Sequence, residues 1–150
     1  MSEASTVKTS ATATIRFQSA TPQFTVPDVL QTAEYYRDVL GFEIVGYWDG
    51  AEVSLHLQSA PVFAIVRRDS VQVFFSRARG GEVRTGRAEG ACDAYIQVTA
   101  VDALAEELGG RGATILDGPE DRVYKQRELV VRDCNGLVLV FAEDTSGRAS

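Results

Sequence analysis

The 150-residue chain offers few side chains that could do acid–base, nucleophilic or metal chemistry. His56 is its single histidine, so a Ser-His-Asp or Cys-His arrangement has one imidazole to draw on, and that shortage disfavours both. Cys92 and Cys134 are too few for a disulfide framework, and neither has a neighbouring histidine to lower its thiol pKa. Asp93 stands beside a strand-like run, yet no second carboxylate is placed to divide acid and base roles with it. What the sequence supplies instead is recognition chemistry. Aromatic and amide side chains alternate with apolar ones in Gln72-Val73-Phe74 and Tyr95-Ile96-Gln97, a mixture suited to a small flat or amphiphilic molecule.

Apolar residues make up 45% of the chain and charged residues 24%, the composition of one globular domain. The net charge of −6 disfavours a nucleic-acid partner and suits a cationic small molecule. No stretch approaches the length of a membrane span. The low cysteine count and the lack of an apolar leader point to the cytoplasm.

Strand–helix–strand units position the recognition residues. Phe24 and Val26 alternate with Gln23 and Thr25, predicting a strand that Pro27-Asp28 ends. Asp28 is placed to cap a helix, with Gln31 in the capping-box position. Val29, Ala33, Tyr36 and Leu40 form one apolar stripe, Gly41 stops it, and residues 42–48 read as strand. The pattern recurs about 72 residues later. Residues 94–98 read as strand, and Val101, Leu104, Ala105 and Leu108 form the second stripe, with Gly109-Gly110 as its stop. Further strands are expected at 62–66, 71–75, 113–116, 127–131 and 137–141. Residues 51–57, which include His56, read as an insertion that lengthens a hairpin. Residues 1–20 read as a disordered or arm-like tail in which Ile15-Arg16-Phe17 could form a short strand. Repeat one spans about 21–76, a glycine- and arginine-rich crossover loop 77–91, repeat two about 92–143, and a tail 144–150. A phosphate-cradling role for that loop lacks the strand–loop–helix context it needs.

Three stretches carry a family likeness. Val26-Pro27-Asp28 through Tyr35-Tyr36-Arg37-Asp38-Val39-Leu40-Gly41-Phe42 is similar to the first-helix signature of the vicinal-oxygen-chelate superfamily, the glyoxalase, bleomycin-resistance and extradiol dioxygenase proteins. Gln97 through Leu104 resembles the opening of that family's second repeat. Arg132-Asp133-Cys134-Asn135-Gly136 resembles the turn before its last strand. The resemblance spans residues 21–143 and implies an α+β fold of two tandem βαβββ modules forming an open mixed-sheet barrel. It also implies a ligand groove, commonly shared between two chains of a homodimer.

Enzymes of this family hold a divalent ion with His, Glu or Gln side chains. Carried over residue by residue, the four ligand positions fall at Thr21, Phe74, Asp93 and Val140. Phenylalanine and valine cannot ligate a metal, and one carboxylate cannot replace a multi-ligand site. The resemblance is therefore closest to metal-free bleomycin-resistance-like members, and no cofactor is expected. A displaced site built from His56, Asp93 and Glu52 has no other support. The expected groove is lined by Gln23, Trp48, Phe63, Gln72, Phe74, Asp93, Tyr95, Tyr124, Arg127 and Val140, with Tyr47, Trp48 and Phe63 as candidates at its rim. Tyr124 and Arg127 enter because their stretch resembles one flanking the groove in antibiotic-binding relatives. Ordinary core packing is the competing account for each aromatic, and an exposed surface ion pair with Glu128 or its neighbours for Arg127.

Three functions follow. The first is a non-catalytic protein sequestering an aromatic or amphiphilic small molecule, such as a bleomycin-like drug, in a groove at a dimer interface. The second is a metal-dependent lyase, isomerase or dioxygenase with an atypical ligand set. The third is an interaction module whose groove is closed by its own side chains.

Overall fold

A computed structural model describes residues 13–57, 59–79 and 91–148. Residues 1–12 of the expected tail and 80–90 of the expected crossover loop lie outside the described residues. The elements in chain order are β1 (Gln23–Val26), α1 (Val29–Asp38), β2 (Glu43–Trp48), β3 (Val53–Ser54), β4 (Phe63–Arg68) and β5 (Val71–Arg77). They continue with β6 (Ala94–Gln97), α2 (Val101–Gly110), β7 (Thr114–Asp121), β8 (Gln126–Arg132) and β9 (Val138–Asp144). Two mixed sheets result, ordered β1-β5-β4-β2-β3 and β6-β9-β8-β7. In each, the first strand runs parallel to the last and the remaining pairs are antiparallel. This is the α+β architecture of two βαβββ modules in an open mixed-sheet arrangement.

Helix α1 forms where its signals place it. The Asp28 carboxylate accepts a hydrogen bond from the Gln31 N–H at 2.9 Å, satisfying a donor that the first turn cannot pair internally. The stripe Val29, Ala33, Tyr36 and Leu40 is buried without remainder, at 0–1% exposure. Each fully buried valine or leucine contributes roughly 1.5–3 kcal/mol. Gly41 then takes φ +77°, a left-handed conformation that any side chain would strain. A Cβ there would also collide with the Arg68 guanidinium at 2.6 Å.

Helix α2 ends at Gly110, at the expected Gly109-Gly110 stop, but the left-handed residue that closes it is Gly112 at φ +88°. Ala113 N–H reaches the Leu108 carbonyl and Gly112 N–H the Gly109 carbonyl, so the paired C-terminal bonds form two residues later than the glycines suggest. The run Ile15-Arg16-Phe17 is not strand; Ile15 and Phe17 stand 86% and 99% exposed. A strand needs a neighbouring edge to satisfy its backbone, and these residues join neither sheet. The insertion does extend the hairpin, but only Val53 and Ser54 pair, with Trp48 and Tyr47.

One continuous core joins the modules, with Val26, Tyr36, Phe75, Val101, Leu129 and Leu139 all fully buried in it. Polar bonds fix their relative position. Tyr36 Oη on α1 donates to Asp133 Oδ2 at 2.7 Å, across 97 residues of sequence. Asp133 Oδ1 meanwhile accepts from the Asn135 and Leu137 N–H groups, and Asn135 Nδ2 donates to Thr32 Oγ1. On the other side of the seam, Arg68 makes a bidentate pair with Glu107 at 2.7 and 2.9 Å and also donates to the Leu40 carbonyl. The Asp133 carboxyl is held above its ordinary range, burial outweighing the bonds that favour its ionised form. Tyr36 is raised well above the usual phenol range, by burial first and by Asp133 second. Replacing Tyr36 by Phe strands a buried carboxylate oxygen and is expected to cost about 1–3 kcal/mol. That corresponds to a melting temperature lower by roughly 2–12 °C for a chain of this size; an unchanged melting temperature in calorimetry would refute the role given to this bond.

Candidate ligand-binding site

Strand alternation divides each sheet into a face against its helix and a helix-free face. In β5, Val73 and Phe75 are fully buried while Gln72, Phe74 and Ser76 alternate with them. Register then assembles the helix-free face of module one. Gln23 lies beside Phe74 and Phe74 beside Ile65, while Ser76 lies beside Phe63 and Phe63 beside Trp48. The Phe63 and Phe74 rings meet edge to face, with centroids 5.3 Å apart. Trp48 keeps 44% of its surface exposed at the sheet's edge. Gln72 aligns with Arg67, whose guanidinium is held by Glu43 at 2.7 Å. Trp48, Phe63, Phe74, Gln23 and Gln72 therefore share one apolar surface fringed by amides.

On module two, Tyr95, Val140 and Val130 form a row, and Ala142 lies beside Glu128 in the next. Val140 is a nearly closed floor residue at 8% exposure, whereas Tyr95 is 46% exposed. The two faces approach at a cleft of about 840 Å³ lined by Thr21, Arg67, Gln72, Tyr95 and Gln97 among others. Gln72 and Tyr95, named separately from sequence, thus border the same space.

Three expected residues stand elsewhere. Tyr47, of opposite parity to Trp48 on β2, is only 6% exposed and packs in the core. Arg127 shares strand parity with the fully buried Leu129 and Val131, so its side chain leaves on the helix side. There it pairs with Asp102 at the start of α2 at 3.0 Å and with Asp121 at 3.1 Å. Asp93 serves the backbone of β9: its carboxylate accepts from the Val138 N–H at 2.8 Å, and its own N–H donates to the Val138 carbonyl at 2.8 Å. It borders a separate pocket with Gln23, Thr25, Arg79 and Leu137.

Glu128, expected at most as an exposed partner of Arg127, lies on the opposite face of β8 and pairs with Arg122 instead. Its side chain is only 7% exposed and has three partners. Tyr95 Oη and Tyr124 Oη both donate to Oε2 at 2.6 Å, and Arg122 Nε donates to Oε1 at 3.0 Å. Burial alone would raise its pKa, but the two phenols and the guanidinium outweigh it and leave the carboxylate below its ordinary range. Both tyrosines are correspondingly raised, Tyr95 by burial first and then by Glu128, Tyr124 chiefly by its bond to Glu128. Arg122 is shared further with Asp117 at 2.9 Å and Glu120 at 3.0 Å. Gly118 permits the close approach of β7, because a Cβ at this positive-φ residue would run into the Glu128 carbonyl oxygen. The signal was available: alternation with Leu129 and Val131 puts Glu128, not Arg127, on the helix-free face.

The family's metal chemistry does not fit these side chains. Phe74 and Val140 offer no donor atom, and the Asp93 carboxylate already holds a backbone amide. Among the described residues no group of three or more His, Cys, Asp or Glu gathers where an ion could be held. His56 is exposed on the hairpin arm, its N–H donating to Ser54 Oγ. Cys134 is also a poor nucleophile, its thiol pushed up to about 11 by burial and by the neighbouring Asp133. No described helix is long and apolar enough to cross a membrane.

Comparison with known proteins agrees with this architecture. The structure is similar to TioX from Micromonospora sp. ML1, with a TM-score of 0.64 and 19% identity over 85% of this chain and 99% of that one. It is similar to a superfamily member from Sphaerobacter thermophilus DSM 20745, with a TM-score of 0.61 and 22% identity over 86% and 98% of the two chains. It is also similar to the bleomycin-binding protein of bleomycin-producing Streptomyces verticillus, determined with copper(II)-bleomycin, with a TM-score of 0.56 and 26% identity over 85% and 97%. No curated protein matches the sequence. The family model of the glyoxalase/bleomycin resistance protein/dioxygenase superfamily matches residues 18–141, and the chain belongs to that superfamily.

Proposed function

We propose that the protein is a non-catalytic binding protein that sequesters an aromatic or amphiphilic small molecule on its helix-free faces without a metal ion. The observation that carries this reading is the continuous surface of Trp48, Phe63 and Phe74, fringed by Gln23 and Gln72, in which Phe74 stands at one of the positions where the family likeness would place a metal ligand. Aromatic rings flanked by amides recognise flat molecules by stacking and edge hydrogen bonds, and they supply neither a Lewis acid nor a nucleophile. The net charge of −6 favours a cationic ligand, and the likeness to a bleomycin-binding protein makes bleomycin-type drugs the first candidates. In a homodimer, module one of one chain would face module two of its partner, bringing the aromatic surface opposite Tyr95 and Tyr124. Sequestration of a toxic drug in the cytoplasm would confer resistance on the cell that makes the protein.

Trp48 is the chain's single tryptophan and borders the proposed site, so intrinsic fluorescence reports on it directly. Titration with metal-free bleomycin is expected to quench or shift Trp48 emission and to raise the melting temperature through mass action. Phe74→Ala should weaken that binding about ten-fold or more, a loss in line with truncation of a well-packed interface aromatic, while keeping the native far-ultraviolet spectrum. Unchanged emission across a panel of flat cationic drugs would reject the reading.

Purified protein is expected to contain no stoichiometric divalent ion after dialysis, and exhaustive chelation should leave ligand affinity unchanged. A tightly held divalent ion, or turnover of a vicinal diketone or catechol abolished by chelator, would instead establish the enzyme reading.

A further inference from the structure

The helix-free face of module two contains a construction that the aromatic surface of module one lacks. Two tyrosines from different elements, Tyr95 on β6 and Tyr124 in the β7–β8 hairpin, donate to the same carboxylate oxygen of Glu128, each at 2.6 Å. Their hydroxyls are fixed while their rings stay 46% and 58% exposed. An exposed tyrosine ordinarily samples several rotamers, and ordering it on binding costs free energy; a shared acceptor removes much of that cost beforehand. Charge is also unevenly distributed here. Three carboxylates, of Glu128, Asp117 and Glu120, surround one guanidinium, of Arg122, for a local sum of −2. Gln126, two residues before Glu128 on the same face of β8, keeps a buried side-chain oxygen without a protein partner.

We propose that Glu128 is a positioning residue that pins Tyr95 and Tyr124 as a rigid two-ring subsite for a flat, positively charged aromatic group. The Glu128 side chain is only 7% exposed and already accepts from three donors, so the incoming cation is met by the ring faces and by the surrounding negative field rather than by a direct ion pair. The proposal rests on the binding reading above and names the chemistry of one half of its site.

The test uses N-methylquinolinium, a permanent cation, and quinoline, its neutral counterpart at pH 7.5, followed by shifts in the tyrosine ring resonances of the full-length protein. The cation is expected to shift Tyr95 and Tyr124 and to bind about two- to five-fold more tightly than quinoline. Tyr124→Ala should remove that preference, whereas Tyr124→Phe, which keeps the ring and loses the pin, should retain weaker binding. Glu128→Gln should lower the affinity and also bring the Tyr95 and Tyr124 titrations back toward the ordinary phenol range while leaving Tyr36 unmoved. Loss of packing alone would not produce that selective signature. Should Glu128→Gln fail to fold, the two Tyr124 variants, which leave Glu128 its Tyr95 and Arg122 donors, decide the matter alone. Equal affinity for cation and neutral ring, or identical behaviour of Tyr124→Ala and wild type, overturns the proposal. Drug binding that changes Trp48 emission without moving Tyr95 or Tyr124 would sink this subsite and leave sequestration standing. Shifts at the tyrosines with no Trp48 response to any drug would do the reverse.

Discussion

The hydrogen bond from Tyr36 to Asp133 is the constraint on which the arrangement of the two modules depends. Each sheet can bury one face against its own helix, but that leaves the modules free to choose a relative position. Hydrophobic burial at the seam is strong and non-directional, so it fixes proximity rather than orientation. The phenol–carboxylate bond at 2.7 Å, buried among apolar residues, is directional and costly to leave unmade. With Asp133 also tied to Asn135 and Leu137 N–H groups, the turn before β9 is locked beneath α1. The position of β9, and so of Val140 and of Tyr95 beside it, follows from that lock.

The same logic explains why the seam carries a second, differently built restraint. Arg68 and Glu107 are each about one-third exposed, so solvent screens their attraction and a simple surface pair there would contribute little. Their bidentate geometry and the extra bond from Arg68 to the Leu40 carbonyl give the pair direction as well as charge. Glu107 is held below its ordinary range chiefly by its bond to Arg68. The buried phenol sets the hinge, and the half-exposed pair limits rotation about it.

Local signals made much of the fold legible in the sequence. Asp28, the apolar stripe through Leu40, and Gly41 each act within a few residues, so they specify α1 without knowledge of the tertiary structure. The repeat at a spacing of about 72 residues revealed the second module for the same reason. The end of α2 at Gly110 was legible in the same way, whereas its left-handed closing residue is Gly112, which the Gly109-Gly110 pair did not indicate. Which face Phe74 occupies was readable from strand period, since it alternates with Val73 and Phe75, which are fully buried; that this face borders a groove came from the family likeness. Arg127 was assigned to the groove by likeness of its stretch to a family segment, although its parity with Leu129 and Val131 places it on the other face. Glu128 was hidden by a different cause. Its meaning lies in partners 4, 6 and 33 residues away, brought together by the β7–β8 hairpin and the β6–β9–β8 register, and no spacing rule encodes that convergence.

Glu128 also shows how a buried charge can serve recognition without touching a ligand. Moving a carboxylate out of water costs several kcal/mol, and an isolated one would respond by taking up a proton. Here three donors oppose that response, each charge-assisted bond contributing about 1.5–3 kcal/mol, and the carboxylate stays ionised below its ordinary range. Stability and recognition are then linked with a definite sign. Because the folded-state pKa is lowered, this contribution is present above the unfolded carboxyl's range and is lost as pH falls through the lower folded value. Protonation would remove the acceptor that both tyrosines share, so the acid that weakens the fold also frees the rings. A binding face built this way keeps its shape for as long as one carboxylate keeps its charge.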